Sequence, residues 1–437
     1  MRTSSLIGHA IEAYTEYRRD PSIPADAVMR RFFFNRKYLG SSDRRAIADL
    51  YFGVIKNWLR LEALVRDVFP AEDAAINDGV NEPRVVAAFL IAMEGRNPKE
   101  VFADLELIRP GVVTEGALSC FADRERETTR LLALSATERL ATLYSEPLWF
   151  VEALTKEYDE ATATAMLEVM NGEAPTTLRA NTLLTTREAL QERLAQEGIV
   201  TTPSMIASDA LTLKKRVNIP SLAAFRNGEL EVQDEASQLV APLAGIRKTA
   251  IKVLDACSGA GGKTLHLAAL MKNRGEIYAT DVDDRKLEQL KERSRRSGAQ
   301  NIRIVRSADR ARMLGADKQG WFDLVLLDVP CTGTGTLRRN PGIKWLLTPQ
   351  MLTELVEKQR TIIDSHADLV RPGGTLLYAT CSLLHEEGED QVSWLLEHHP
   401  DFVVEEQLRT HPELDGCDGF FAARLRKVSE ASAVAAS

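Results

Sequence analysis

From Ile251 to Lys427 the chain alternates short apolar runs with amphipathic stretches. IKVLDAC leads to TLHLAALM and EIYATDV to RKLEQLKERSRRSG; NIRIVRS, FDLVLLDVP, GTLLYATCS and a late pair near DFVVEE and GFFAARLRK follow. Short apolar runs of this kind read as buried strands, and parallel neighbours need a helical crossover between them. The pattern therefore predicts a doubly wound, largely parallel α/β sheet. In such sheets ligand and catalytic groups collect beyond the carboxyl ends of the strands, which directs attention to a few short loops.

The first of these loops is DACSGAGGKT, Asp255 to Thr264. A phosphate-cradling loop needs GxxxxGK[ST], and Cys257 stands where its first glycine should be, so that reading fails. The alternative is a strand-loop-helix turn in which Cys257, Ser258, Gly259, Ala260, Gly261, Gly262 and Lys263 let backbone approach a nucleotide-type cofactor. Asp281 ends the next strand, where a carboxylate can accept both hydroxyls of a ribose; this fits a dinucleotide or S-adenosyl-L-methionine equally well. Asp309, after the third strand, tips the choice toward S-adenosyl-L-methionine through the adenine edge. The fourth and fifth strand ends, LLDVPCTGTG and LLYATCS, add Asp328, Cys331 and Cys381 to the same crevice. A single free cysteine is most often a small buried hydrophobe. Two at matching strand ends beside a methyl-donor site point instead to thiol chemistry.

Upstream, residues 1–145 read as an α-helical bundle. Ile47, Leu50, Tyr51, Val54, Ile55, Trp58 and Leu59 recur at helical spacing behind the cap candidates Ser41, Ser42 and Asp43. Residues 146–235 change texture: PTTLRANTL, the helix-like TREALQERLAQEGI, ALTLKK and GELEVQDEAS predict a small α+β accessory module. Residues 236–428 form the α/β domain, and the small-residue tail 429–437 is expected to be disordered. The five cysteines contain no CxxC pair, so neither a disulfide framework nor a metal site is encoded. No apolar run approaches a membrane span of about 18 residues, and no signal peptide is evident, so a cytoplasmic location away from membranes is expected.

A net charge of −8 weighs mildly against a nucleic-acid partner. Its distribution keeps RNA open: residues 30 to 45 hold six Lys/Arg against the single Asp43, with Phe and Tyr interleaved. Lys214, Lys215 and Arg216 form a second cluster, and Arg338 with Arg339 a third.

DACSGAGGKT, ATDVDD, SAD, LLDVPCTGTGTLRRNP, YATCSLLHEEGED and DGFFAARL, with the upstream LRANTL and VQDEASQLVA, together resemble the RNA (cytosine-5) methyltransferases over about residues 146 to 427. The N-terminal region resembles the NusB-like RNA-binding fold. The resemblance implies a multidomain chain: a NusB-like helical bundle, an RRM-like α+β module and a Rossmann-type class I methyltransferase domain. It implies S-adenosyl-L-methionine as cofactor, and 16S ribosomal RNA as substrate, free or in an assembling small subunit, for a monomeric enzyme. Alternatives are the same chemistry on tRNA or another RNA, or a silent RNA-binding assembly factor. It assigns covalent addition at carbon 6 to Cys381 and the release step to Cys331. Asp328 would hold nitrogen 3 and the exocyclic amine, and Lys263 would favour the thiolate and contact the base carbonyl. Arg179 and Asn181 of LRANTL, with Arg338 and Arg339, are the RNA-contact candidates. One departure stands out: the family's loop usually reads AAPGGKT, and here Ser258, Gly259 and Ala260 replace Ala-Ala-Pro.

Overall fold

The computed structural model describes residues 1–69, 81–248 and 250–428. The tail 429–437 expected to be disordered lies outside the described residues. The chain forms two compact units, one of Met1–Gly172 with Leu337–Pro349, the other of Glu173–Thr336 with the chain from Gln350 on.

The first unit is helical. In the helix Ser41–Lys56, Asp43 accepts the Gly40 N–H at 3.3 Å and so closes the N-terminus. Ile47, Leu50, Tyr51, Val54 and Ile55 are buried as their spacing predicts. The helical run is broken at Asn57, whose side-chain amide donates to the Gly53 carbonyl at 2.9 Å, and a new helix, Trp58–Val68, begins. Two further helices, Leu148–Glu157 and Glu160–Met170, pack with this unit. These helices, between the expected boundary at 145 and Gly172, fall with the helical unit in this division.

Residues 337–349 also belong to it, although they stand inside the α/β domain's sequence. Trp345 explains why: its ring stacks on Trp58 with centroids 4.2 Å apart and meets Tyr14 and Tyr17 edge-on. Its Nε1 donates to the Ile55 carbonyl at 3.2 Å. An indole placed this way contributes apolar burial and satisfies its one polar atom.

The second unit holds two sheets. The smaller contains β1 (Thr177–Ala180), β2 (Thr201–Pro203), β3 (Ala210–Leu213) and β4 (Leu230–Val232), antiparallel in the order β2-β3-β1-β4. Helices Arg187–Gln196 and Ala223–Arg226 complete a β-α-β-β-α-β module around Leu178, Leu190, Leu194, Leu211 and Leu230.

The larger sheet contains β5 (Lys252–Asp255), β6 (Glu276–Thr280), β7 (Ile302–Val305), β8 (Phe322–Asp328), β9 (Val370–Thr380), β10 (Phe402–Thr410) and β11 (Phe420–Lys427), ordered β10-β11-β9-β8-β5-β6-β7. β7, β6, β5, β8 and β9 run parallel, and the β10–β11 hairpin closes one side antiparallel to β9. This is the expected doubly wound sheet. Strand order reverses beside β5, so the ends of β5 and β8 flank the crevice where such sheets bind ligands. Among the described residues, no helix is long and apolar enough to cross a membrane.

Candidate active site

The cofactor loop leaves β5 and enters the helix Gly262–Leu270. Its bends require glycine: Gly259 has φ +53° and Gly261 φ +88°, and a Cβ on Gly261 would stand 2.1 Å from the Leu290 side chain. A Cβ on Gly259, in contrast, would meet nothing within 4 Å, so the backbone there borders open space that a ligand can approach closely. The replacement of Ala-Ala-Pro is compensated locally. Ser258 donates to the Thr280 carbonyl through both its N–H (2.9 Å) and its hydroxyl (3.1 Å), a second bond that alanine cannot make.

Asp281 sits just beyond β6, nearly buried. Its Oδ2 accepts the Gly259 N–H and its Oδ1 the Asp283 N–H, each at 2.9 Å. One hydrogen bond per oxygen fixes the carboxylate while leaving lone pairs for a ribose. Open space against Gly259 and this fixed acceptor fit an adenosyl-type cofactor. Asp309 lies in the turn Ser307–Asp309 after β7, where its carboxylate pairs with Arg312 at 2.9 Å.

The groups expected to do chemistry come together. Cys331 and Cys381, from the loops after β8 and β9, place their Sγ atoms 3.3 Å apart. Beside them Lys263 Nζ pairs with Asp328 Oδ2 at 2.7 Å and lies 4.8 Å from the centre of the Phe420 ring. The Cys381 thiol is pushed well above its ordinary pKa, first by its hydrogen bond with Cys331 and then by burial, with Lys263 opposing. At rest it is a neutral thiol. Cys257 is held as a thiol too, its pKa raised to about 12 by burial and the surrounding carboxylates. Beneath the loop, burial raises Asp255 to about 7; it accepts the Thr264 hydroxyl at 2.6 Å. Among the described residues no group of three or more His, Cys, Asp or Glu forms a metal site.

The RNA-contact candidates sit elsewhere than expected. Arg179 on β1 is buried, donating from one nitrogen to Gln233 Oε1 (2.6 Å) and to the carbonyl of Gly262 (2.8 Å). Arg293 does the same for the Ala260 carbonyl at 2.7 Å, while its other nitrogens hold Glu231 of β4. Two guanidinium groups anchored on the small sheet thus clamp two carbonyls of the cofactor loop. Asn181 is equally buried and donates to the Gly228 and Ser297 carbonyls, both at 2.8 Å, tying the small sheet to the helix Asp284–Ser297. These side chains are consumed by packing, because a buried polar group must find its partners inside the protein. Arg338 is also buried, and Arg339 is partly so; both fall in the segment that folds with the helical unit. Neither LRANTL residue presents a free edge to RNA.

An Arg179→Gln variant separates the two roles. A charge-assisted bond is worth about 1.5–3 kcal/mol, so cofactor affinity measured by calorimetry without RNA is expected to fall roughly tenfold or more. Unchanged affinity, with loss only of RNA binding, would restore the RNA-contact reading.

Residues 30 to 45 are partly neutralised. Arg30 pairs with Asp26, Arg31 with Glu16, and Arg36 with Glu12. Phe34 and Tyr38 remain 72% and 69% exposed, with Lys37 over the Phe34 ring. In the second cluster, Arg216 pairs with Glu173.

Sequence reasoning missed the residues that shape the site from behind: Arg293, Glu231, Gln359, Glu387 and Phe420. Glu387 lay within the quoted motif YATCSLLHEEGED, but a glutamate in an acidic run reads as solvated until the fold buries it.

In sequence and fold the chain is similar to known methyltransferases. Residues 247–426 match the family described as 16S rRNA methyltransferase RsmB/F, and residues 146–220 match the ferredoxin-like domain of RsmF/B-like methyltransferases. The probable ribosomal RNA small subunit methyltransferase B of Bacillus subtilis is 34% identical over 306 residues, covering 66% of this chain and 68% of that protein. The ribosomal RNA small subunit methyltransferase B of Vibrio cholerae is 35% identical, covering 68% of each chain. The crystal structure of PH0851 superposes with a TM-score of 0.78 at 25% identity, covering 98% of this chain and 99% of the other. With the glycine loop, the paired thiols and a ferredoxin-like module in place, the chain belongs to the RsmB/F family of 16S rRNA methyltransferases.

Proposed function

We propose that the protein methylates carbon 5 of a cytosine in 16S ribosomal RNA, by way of a covalent bond between Cys381 and carbon 6 of the base. The observation that carries this reading is the 3.3 Å approach of two thiols at adjacent strand ends, beside a Lys–Asp pair and a cofactor loop. Carbon 5 is too weak a nucleophile to attack a sulfonium methyl group unaided, so the ring must first be activated by addition at carbon 6. S-adenosyl-L-methionine, held by Asp281 and the loop from Cys257 to Lys263, supplies the electrophilic methyl group.

Cys381 is neutral at rest, so its thiolate must form as substrate arrives. Lys263 favours that charge, and Asp328, now holding Lys263, can take the thiol proton and deliver it to nitrogen 3 beside the exocyclic amine as Cys381 adds to carbon 6 and negative charge builds in the ring. After methyl transfer the Cys331 sulfur, its own thiol proton released to solvent, takes the proton from carbon 5. That C–H electron pair re-forms the 5,6 double bond, and the Cys381–carbon 6 bond breaks with its electrons on sulfur.

The target base must leave its stack to reach both thiols, which favours a single-stranded or opened RNA element. The exposed Phe34 and Tyr38, with Lys37, suit stacking and phosphate contact by the helical unit. A Cys331→Ala variant is expected to complete methyl transfer and then stay bonded to RNA, visible as a denaturant-resistant slow band on gels. Release of product at the parent rate would remove the role assigned to Cys331.

A further inference from the structure

Glu387 ends the turn His385–Glu387 beyond the Cys381 loop, and its side chain is completely buried. It makes no ion pair among the described residues. Burying a carboxylate without a countercharge costs several kcal/mol unless donors surround it, so its donors deserve to be followed. One carboxylate oxygen accepts the Thr332 N–H at 2.9 Å and Gln359 Nε2 at 2.9 Å; the other accepts the Thr332 hydroxyl. Gln359 Nε2 also donates to the Pro330 carbonyl at 3.0 Å. The peptide groups on either side of Cys331 therefore end on one buried Gln–Glu pair. The Tyr378 hydroxyl in turn donates to the Glu387 carbonyl at 2.7 Å, fixing the glutamate itself.

The far side of the loop is tied to the other thiol's loop. Gly335 N–H donates to the Cys381 carbonyl at 3.0 Å, and Leu383 N–H donates to the Thr334 hydroxyl at 3.0 Å. The Pro330–Gly335 segment is thus held at both ends, and the Glu387–Gln359 pair grips the peptide groups on either side of Cys331.

We propose that Glu387, acting with Gln359, is the positioning residue that sets Cys331 for the release step. The proposal rests on the covalent reading above and adds to it. Glu387 touches no reacting atom; it fixes the backbone from which the accepting sulfur projects. In Glu387→Gln the negative charge that draws the Thr332 N–H, the Thr332 hydroxyl and Gln359 together is removed while side-chain volume is kept, so the charge-assisted grip on the loop loosens. Misplacement by about 1 Å can cost on the order of 100-fold in rate.

The test compares the full-length parent with Glu387→Gln, Gln359→Leu and Cys331→Ala on a 16S ribosomal RNA transcript with S-adenosyl-L-methionine. It reads single-turnover methyl transfer, multiple-turnover rate and denaturant-resistant protein–RNA adduct. Glu387→Gln is expected to transfer its first methyl group near the parent rate, turn over roughly 100-fold more slowly and accumulate adduct as Cys331→Ala does. Gln359→Leu is expected to show the same signature more mildly, and it decides the matter if Glu387→Gln does not fold. Parent-like turnover without adduct overturns the proposal. So does a parallel loss of first methyl transfer and adduct, the mark of a merely structural role. Absence of adduct in Cys331→Ala itself would bring down the covalent-release reading, and is recognisable because it does not depend on Glu387.

Discussion

A Cys381→Ala variant is expected to form neither RNA adduct nor 5-methylcytosine, with turnover falling on the order of 10⁴-fold or more, the scale on which enzymes respond to loss of a nucleophile. The geometry makes this a sharp test, because the Cys331 sulfur is only 3.3 Å away. If Cys331 were the attacking thiol, Cys381→Ala would still form the adduct and would fail only at release. The two single variants therefore have opposite signatures: no adduct without Cys381, persistent adduct without Cys331. The resting state adds a pH dependence. The Cys331 hydrogen bond and burial hold the Cys381 thiol well above its ordinary pKa, and the thiolate is the reactive form. Adduct formation by the parent is therefore expected to quicken as pH rises from neutrality, measured by quenching on the millisecond-to-second scale. Retained 5-methylcytosine formation by Cys381→Ala would end the assignment.

The parts of the molecule legible from sequence are those decided by local pattern. β5, β6, β8 and β9 were readable because a parallel strand covered on both faces is a short continuous apolar run, and their ends located Asp281, Asp328, Cys331 and Cys381. What escaped depends on partners distant along the chain. β2 has three residues ending in Pro203, too few to alternate visibly. Helices Leu148–Glu157 and Glu160–Met170 follow the change of texture near residue 146, and their packing with the helical unit depends on residues far away in the chain. LRRNPGIKWLLTP follows the Cys331 loop, and sequence alone singles out only Arg338 and Arg339 in it; Trp345 draws the segment into the helical core. Arg179 and Asn181 look like nucleic-acid contacts in a strand, but their burial turns the same donors toward backbone carbonyls.

Lys344 and Glu146 carry the largest expected effect on stability. Both side chains are fully buried, with Nζ and Oε1 2.7 Å apart. The ammonium also donates to the Tyr144 carbonyl at 3.0 Å and to Asn171 Oδ1 at 3.1 Å, beside its ion-pair partner. Through it the inserted 337–349 segment is fastened to the ends of two helices, Ala136–Tyr144 and Glu160–Met170. Removing one partner of such a pair leaves a buried charge uncompensated, at about 3–5 kcal/mol. Against a typical stability of about 5–15 kcal/mol, Lys344→Met should consume much of the margin of the helical unit. Burial already raises the Glu146 carboxyl while Lys344 opposes the shift. Without the lysine, Glu146 binds a proton more tightly folded than unfolded, so the variant's stability should fall as pH rises through the folded pKa. The double variant Lys344→Met/Glu146→Leu removes the stranded charge and should recover most of the loss. Guanidinium unfolding followed by indole fluorescence reports on this directly, since the Trp58–Trp345 stack lies in the same unit. A loss below about 1 kcal/mol in Lys344→Met, the scale of a surface pair, would mean that Trp345 packing rather than the ion pair holds the insertion in place.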